Sequence, residues 1–211
     1  RNELMSVYLK THPKNPEMRF INRAAEVILN GGIVVYPTDT IYALGCNIGA
    51  KGALERIRRI RKLDESHYFT LLCNDLTSVS AYAKVGNSAF RILKAHTPGP
   101  YTFILKATRE VPRRLLNPKR KTIGLRIPNN RIAQALLRKL GAPIMTTSLL
   151  FPDEAGPFLD IEEIRSRIGK LVDLIVDGGP NGREHSTVVD LVGNVPEVVR
   201  FGKGDSRPFC D

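Results

Sequence analysis

The chain has 211 residues, 42% hydrophobic and 25% charged, the balance of an ordinary globular domain that buries a full core without metal or disulfide staples. This excludes a disordered tail, a collagen-like fibre and a disulfide-dense mini-protein, and no apolar run reaches the roughly 18 residues of a membrane span. Lys plus Arg number 32 against 21 for Asp plus Glu, a net charge of +11, and two segments carry it: residues 51–62 with six basic and one acidic side chain, residues 109–126 with seven and one.

In chain order, residues 1–4 precede any pattern and one domain is expected over 5–211. Residues 18–30 place Ile21, Ala24, Ala25 and Ile28 on one helical face, and Gly31-Gly32 stops the helix. A short apolar strand follows at 33–36, ended by Pro37. Residues 50–61 read as a helix, 69–73 as a strand, and 75–83 and 87–96 as helices. Thr97-Pro98-Gly99-Pro100 is a turn before a strand at 101–106. Further strands are expected at 122–127, 143–147, 172–176, 187–191 and 198–201, with helices at 130–140, closed by Gly141, and at 160–169. Segment 150–159 is the least regular and reads as a flexible loop over a site. Alternating strands and helices give an α/β domain with one open mixed sheet.

Several motifs are missing. No G-x-x-x-x-G-K-[ST], no G-x-G-x-x-G after a strand and no G-x-S-x-G occurs, which argues against a P-loop, a dinucleotide fold and a hydrolase elbow. Gly202-Lys203-Gly204-Asp205 reads as a turn. Cys46, Cys73 and Cys210 lack C-x-x-C spacing and the four histidines are isolated, so no metal-ligand set is expected. The sparse thiols and the lack of a leader pattern fit a cytoplasmic protein.

Polar residues break the apolar pattern at four places. In 122–127, alternation puts Ile123, Leu125 and Ile127 on one strand face and Thr122, Gly124 and Arg126 on the other. A glycine between a hydroxyl and a guanidinium makes a notch suited to a carboxylate or phosphate, although a solvated strand face has the same pattern. Arg61 continues the Leu54–Ile57 stripe of its helix, where the helix dipole favours a cation. Lys51, Arg58 and Lys62 lie on another face. Thr38 and Thr40 follow a strand end at Pro37, and Thr146-Thr147-Ser148 and Ser186-Thr187 supply further hydroxyls at strand ends.

In order, Tyr36-Pro37-Thr38-Asp39-Thr40, Pro98-Gly99-Pro100-x-Thr102, Thr122-x-Gly124-x-Arg126, Thr147-Ser148, Ser186-Thr187-Val188-Val189-Asp190 and Arg200 resemble the YrdC/YciO family over roughly 18–204. The stretches 112–116 and 119–124 resemble its YciO branch. The resemblance implies a twisted open α/β sheet with a large concave basic surface. It implies a threonylcarbamoyl-AMP synthase, a nucleotidyltransferase that joins L-threonine, bicarbonate and ATP with Mg²⁺ and feeds threonylcarbamoylation of tRNA adenosine 37. The extra C-terminal domain of long members is not expected. Carried over residue by residue, Thr38, Thr40, Arg126 and Thr187 hold threonine. Arg61, Thr122, Thr147, Ser148 and Arg200 hold the nucleotide, with Arg61 as the catalytic cation.

Two positions depart from the family pattern. Its K-x-R motif is here Arg61-Lys62-Leu63, and its S-x-N motif is Ser148-Leu149-Leu150. Leucine replaces neither a cation nor an amide, and two lost polar contacts in a transition state cost roughly 10²–10⁴ in rate. His67 or Lys62 are the nearby replacements. Three readings therefore stand: a synthase, a relative acting on another amino acid or acyl group, and a binder of double-stranded RNA or tRNA. The last would use Arg58, Arg59, Lys62, Arg113, Arg114, Lys119, Arg120 and Lys121, where phosphate contacts make affinity salt-dependent.

Overall fold

The computed structural model describes residues 5–63, 69–151, 156 and 160–210. His67 and most of the 150–159 segment lie outside them. The elements run β1 (Val7–Lys10), α1 (Met18–Leu29), β2 (Val34–Tyr36), β3 (Ala43–Asn47), α2 (Lys51–Arg61), β4 (Thr70–Leu72), α3 (Leu76–Tyr82), α4 (Asn87–His96) and β5 (Tyr101–Lys106). They continue through β6 (Thr122–Arg126), α5 (Arg131–Leu140), β7 (Ile144–Ser148), α6 (Ile161–Ile168), β8 (Leu174–Asp177), β9 (Thr187–Asp190) and β10 (Glu197–Arg200). Among the described residues, no helix is long and apolar enough to cross a membrane.

One mixed sheet orders the strands β1-β8-β2-β3-β7-β4-β6-β5-β9-β10. It does not close, because β1 and β10 are separate edges. Two of these strands have no counterpart in the pattern above. β1 is four residues long and pairs parallel to β8. β3 carries Gly45, Cys46 and Asn47, which give little strand signal, yet it is held antiparallel between β2 and β7. Gly45 is required there: a Cβ would come within 2.6 Å of both the Tyr36 ring and the Ile144 side chain.

The two sheet faces are covered unequally, and this positions the site. One face packs Val35, Leu44, Leu71, Phe103, Leu125 and Met145 against Leu54 and Ile57 of α2, Val79 of α3, Leu93 of α4 and Ile164 of α6. The other face packs Val34, Tyr36, Ile144, Leu174 and Val176 against α1 and α5 through Ile21, Ile28, Ile132 and Leu136. Those two helices cover the β1-β8-β2-β3-β7 half and reach Leu72 at the end of β4. α1 presents its apolar stripe at the expected spacing. α5 is capped by the Asn130 side chain, which accepts from the Ala133 N–H at 3.0 Å, and is ended by Gly141 at φ +64°. Where α1 and α5 stop, the face over β7, β4, β6, β5 and β9 stays open.

Candidate functional site

The open face forms a cavity of about 250 Å³. Its floor is one row of the sheet: Thr146 of β7 pairs with Thr70 of β4, Thr70 with Gly124 of β6, and Gly124 with Ile104 of β5. Gly124 is the notch that strand alternation predicts. A Cβ there would sit 3.0 Å from Thr70 Oγ1 and 3.1 Å from the Thr102 methyl, so any side chain would push the two threonines apart. Thr102 and Ser186 share a hydrogen bond of 2.8 Å, and the buried Tyr36 hydroxyl meets Thr146 Oγ1 at 2.5 Å, which joins the cavity to the helix-covered half.

Arg126 ends β6 at the inner wall. Its Nη2 donates to the Asp39 carboxylate in a buried ion pair, to Thr40 Oγ1 at 2.8 Å and more weakly to Thr38 Oγ1 at 3.4 Å. Thr38 in turn donates to the Ile41 carbonyl at 2.7 Å. Asp39 also accepts from the Asn129 N–H at 2.9 Å, and Lys203 Nζ donates to the Asp39 carbonyl at 2.6 Å. The loop of Thr38 and Thr40 thus meets Arg126 as expected, but both threonines stand behind the arginine rather than on the cavity wall. Arg126 Nε is buried without a hydrogen-bond partner.

Arg61 closes the far end. It is the last residue of α2, 8% exposed, and the chain turns at once through Lys62 in the left-handed region. Its guanidinium donates to Thr147 Oγ1 and, through Nε at 2.8 Å, to the Leu150 carbonyl. Burial pushes its pKa down to about 10. Leu150 itself lines the cavity with Ser148, so the position where the family carries an amide presents an alkyl chain.

Arg200 reaches in from β10 and donates to the Ser186 carbonyl at 2.9 Å and to its hydroxyl at 3.1 Å. Burial, and then Arg126, lower its pKa. Neither Arg61 nor Arg200 meets a carboxylate among the described residues.

Two residues carried over from the family pattern fall elsewhere. Alternation along β9 turns Ser186 and Val188 to the cavity and Thr187 away from it. The Thr187 hydroxyl is fully buried, donates to the Gly204 carbonyl at 2.6 Å and accepts from the Gly202 N–H at 3.1 Å. It holds the 202–205 turn and does not line the cavity. Thr122 shares the open face but is buried beyond the cavity rim. Conversely, Thr70 and His185 line the cavity although the sequence pattern did not single them out, and the Asp39 carboxylate holds Arg126 from behind. Strand alternation about Thr70 was available as a signal; nothing local marks His185.

None of the basic residues suggested for RNA lines this cavity. Arg59 on α2 and Lys62 just after it are exposed, and Arg58 stacks on the Phe69 ring at 4.9 Å. Arg113, Lys119 and Lys121 are exposed. Arg114 donates to the Ile48 carbonyl at 2.9 Å, and Arg120 pairs with Asp190 at 2.7 Å. Among the described residues no group of three or more His, Cys, Asp or Glu side chains is placed to hold a metal ion. No described carboxylate lines the cavity, and Arg61, Arg126 and Arg200 do, so its donor set suits phosphate rather than a bare cation.

Comparison with known proteins agrees with this architecture. Residues 26–202 match the Sua5/YciO/YrdC family model, described as "Telomere recombination". The chain is 55% identical over 205 residues to the uncharacterized protein YciO of Escherichia coli K12, covering 97% of this chain and 100% of that one, and the E. coli YciO crystal structure superposes with a TM-score of 0.94 over 98% and 100% of the two chains. Human threonylcarbamoyl-AMP synthase is 33% identical over 89% of this chain and 67% of its own length. Sua5 of P. abyssi complexed with L-threonine is 26% identical with a TM-score of 0.86, over 93% of this chain and 58% of that one. The chain therefore belongs to the Sua5/YciO/YrdC family and is related to the threonylcarbamoyl-AMP synthases.

Proposed function

We propose that the protein binds ATP, as its magnesium complex, together with L-threonine and bicarbonate, and forms threonylcarbamoyl-AMP. The supporting observation is the cavity's charge. Among the described residues, Arg61 and Arg200 face it without carboxylate partners, and Arg126 lines it with an Nε–H that is buried and has no hydrogen-bond partner. Such groups are costly to bury unless an anion meets them.

In this reading the amine of threonine and bicarbonate combine to a carbamate with loss of water. A carbamate oxygen attacks the α-phosphorus, the bond to the bridging oxygen breaks, and pyrophosphate leaves. No general base is needed, because the carbamate is already an anion. Arg126, with Thr38 and Thr40 behind it, orients the threonine carboxylate. Arg61, Thr147 and Ser148 hold the nucleotide phosphates, Arg200 the opposite side, and Arg61 neutralises charge developing on the leaving group. Magnesium bound with the nucleotide would offset phosphate charge beside Arg61. The product would feed tRNA modification in the cytoplasm, where Cys46 and Cys73 stay as buried free thiols.

A pyrophosphate-release assay omitting each substrate in turn tests this. Release should require ATP, threonine and bicarbonate together. Release that ignores threonine, with another amino acid supporting it, points instead to a changed acyl substrate admitted by Leu150.

A second reading, binding of structured RNA or tRNA, is favoured by the exposed Arg59, Lys62, Arg113, Lys119 and Lys121. Arg114 and Arg120 are engaged internally. Filter binding to an RNA duplex at 50 and 200 mM salt should show a steep loss of affinity; binding that is absent or insensitive to salt removes this reading.

A further inference from the structure

His185 lies in the segment before β9 and lines the cavity together with two cations, Arg61 from α2 and Arg200 from β10. Its Nδ1 is buried and has no hydrogen-bond partner. Its backbone is fixed, because the carbonyl accepts from the Lys203 N–H at 2.8 Å and a side chain at Gly202 would meet that same carbonyl at 2.4 Å. On its own segment Arg183 and Glu184 are exposed, and the Lys203 ammonium is taken up by the Asp39 carbonyl. The charged groups facing the ring are thus both positive, and a neutral imidazole is what such surroundings permit.

We propose that His185 is a phosphate-contacting residue of this cavity, and that its imidazole takes up a proton when a phosphate-bearing ligand enters between Arg61 and Arg200. The proposal rests on the reading of the cavity as a nucleotide site. In the ligand-free protein, burial, then Arg200 and Arg61, hold the imidazole below its ordinary titration range. A phosphate placed between the guanidiniums reverses the sign of the local field and offers the ring an acceptor. The imidazolium then donates to a phosphate oxygen, a charge-assisted bond that the neutral ring cannot match. Binding becomes proton-linked: affinity rises as pH falls from the bound-state toward the free-state titration of His185, and levels off below it.

The test follows the imidazole signals of ¹⁵N-labelled protein by NMR from pH 5 to 8.5, alone and with inorganic pyrophosphate or the magnesium complex of ATP. The His185 signal is the one missing from His185→Gln, with His185→Asn as the alternative variant if glutamine is not tolerated. Ligand should move the His185 titration upward. Pyrophosphate affinity of the wild type should gain up to about tenfold per pH unit across that window, beyond the gain the variant shows. If pyrophosphate binds and His185 titrates as before, the proposal is overturned while the nucleotide reading stands. If neither pyrophosphate nor ATP binds the folded protein, the proposal and the nucleotide reading fall together.

Discussion

Arg126 and Asp39 form an ion pair in which both side chains are less than a tenth exposed. The same guanidinium carries a buried Nε–H with no partner. Asp39 therefore fixes Arg126 in place on the cavity wall. Removing the guanidinium should do two separable things. Arg126→Ala should destabilise the fold by about 3–5 kcal/mol, because Asp39 is left charged and buried. Adding Asp39→Asn should recover most of the stability, measured by urea unfolding, but no threonine binding. If the double variant regains threonine binding, Arg126 does not hold the carboxylate.

Leu150 stands on the cavity wall where the family pattern has an amide. Its backbone carbonyl, not its side chain, accepts from Arg61, so replacement leaves that bond intact. Leu150→Asn is expected to raise adenylate formation by roughly 10–10²-fold, the scale of one well-placed polar contact in a transition state. A steady-state comparison at saturating substrate checks this, and an unchanged rate means the leucine does not limit the chemistry.

Thr187 matches a ligand contact in the family pattern, but its hydroxyl is spent on Gly202 and Gly204. Thr187→Val should cost about 1–3 kcal/mol of stability, since it orphans the buried Gly204 carbonyl and the half-buried Gly202 N–H. Threonine affinity measured below the unfolding transition should be unchanged. Thr187→Ser should keep both properties.

The ligand-free protein should lose stability on the acid side through His185. Its folded-state titration lies below the ordinary 6.5 of an unfolded histidine. Between the two, the unfolded chain binds more protons, so stability rises with pH across that window and the destabilisation is complete below it. Urea midpoints from pH 5 to 8 should show this slope in the wild type and a flatter one in His185→Gln.

Much of this site is legible as pattern. The alternation in 122–127 places Gly124 and Arg126 on one face, and the stripe of Leu54 and Ile57 predicts that Arg61 is buried. Both follow from local periodicity, which the fold preserves. What is not legible depends on partners distant in sequence. β3 contains Gly45, a weak strand residue, because the Tyr36 ring crosses it. Thr187 and Ser186 look equivalent as hydroxyls, and only the phase of β9 decides which one faces the cavity. His185 has no local signature. Its surroundings come from α2 and β10, and only folding brings Arg61 and Arg200 beside it.

The most direct test supplies ¹³C-bicarbonate with ATP, magnesium and L-threonine, and looks for the adenylate by mass spectrometry. The account predicts threonylcarbamoyl-AMP one mass unit heavier than with ordinary bicarbonate, and its loss by about 10²-fold or more in Arg126→Ala. Folded wild-type protein that binds ATP and threonine yet yields no labelled adenylate would contradict it.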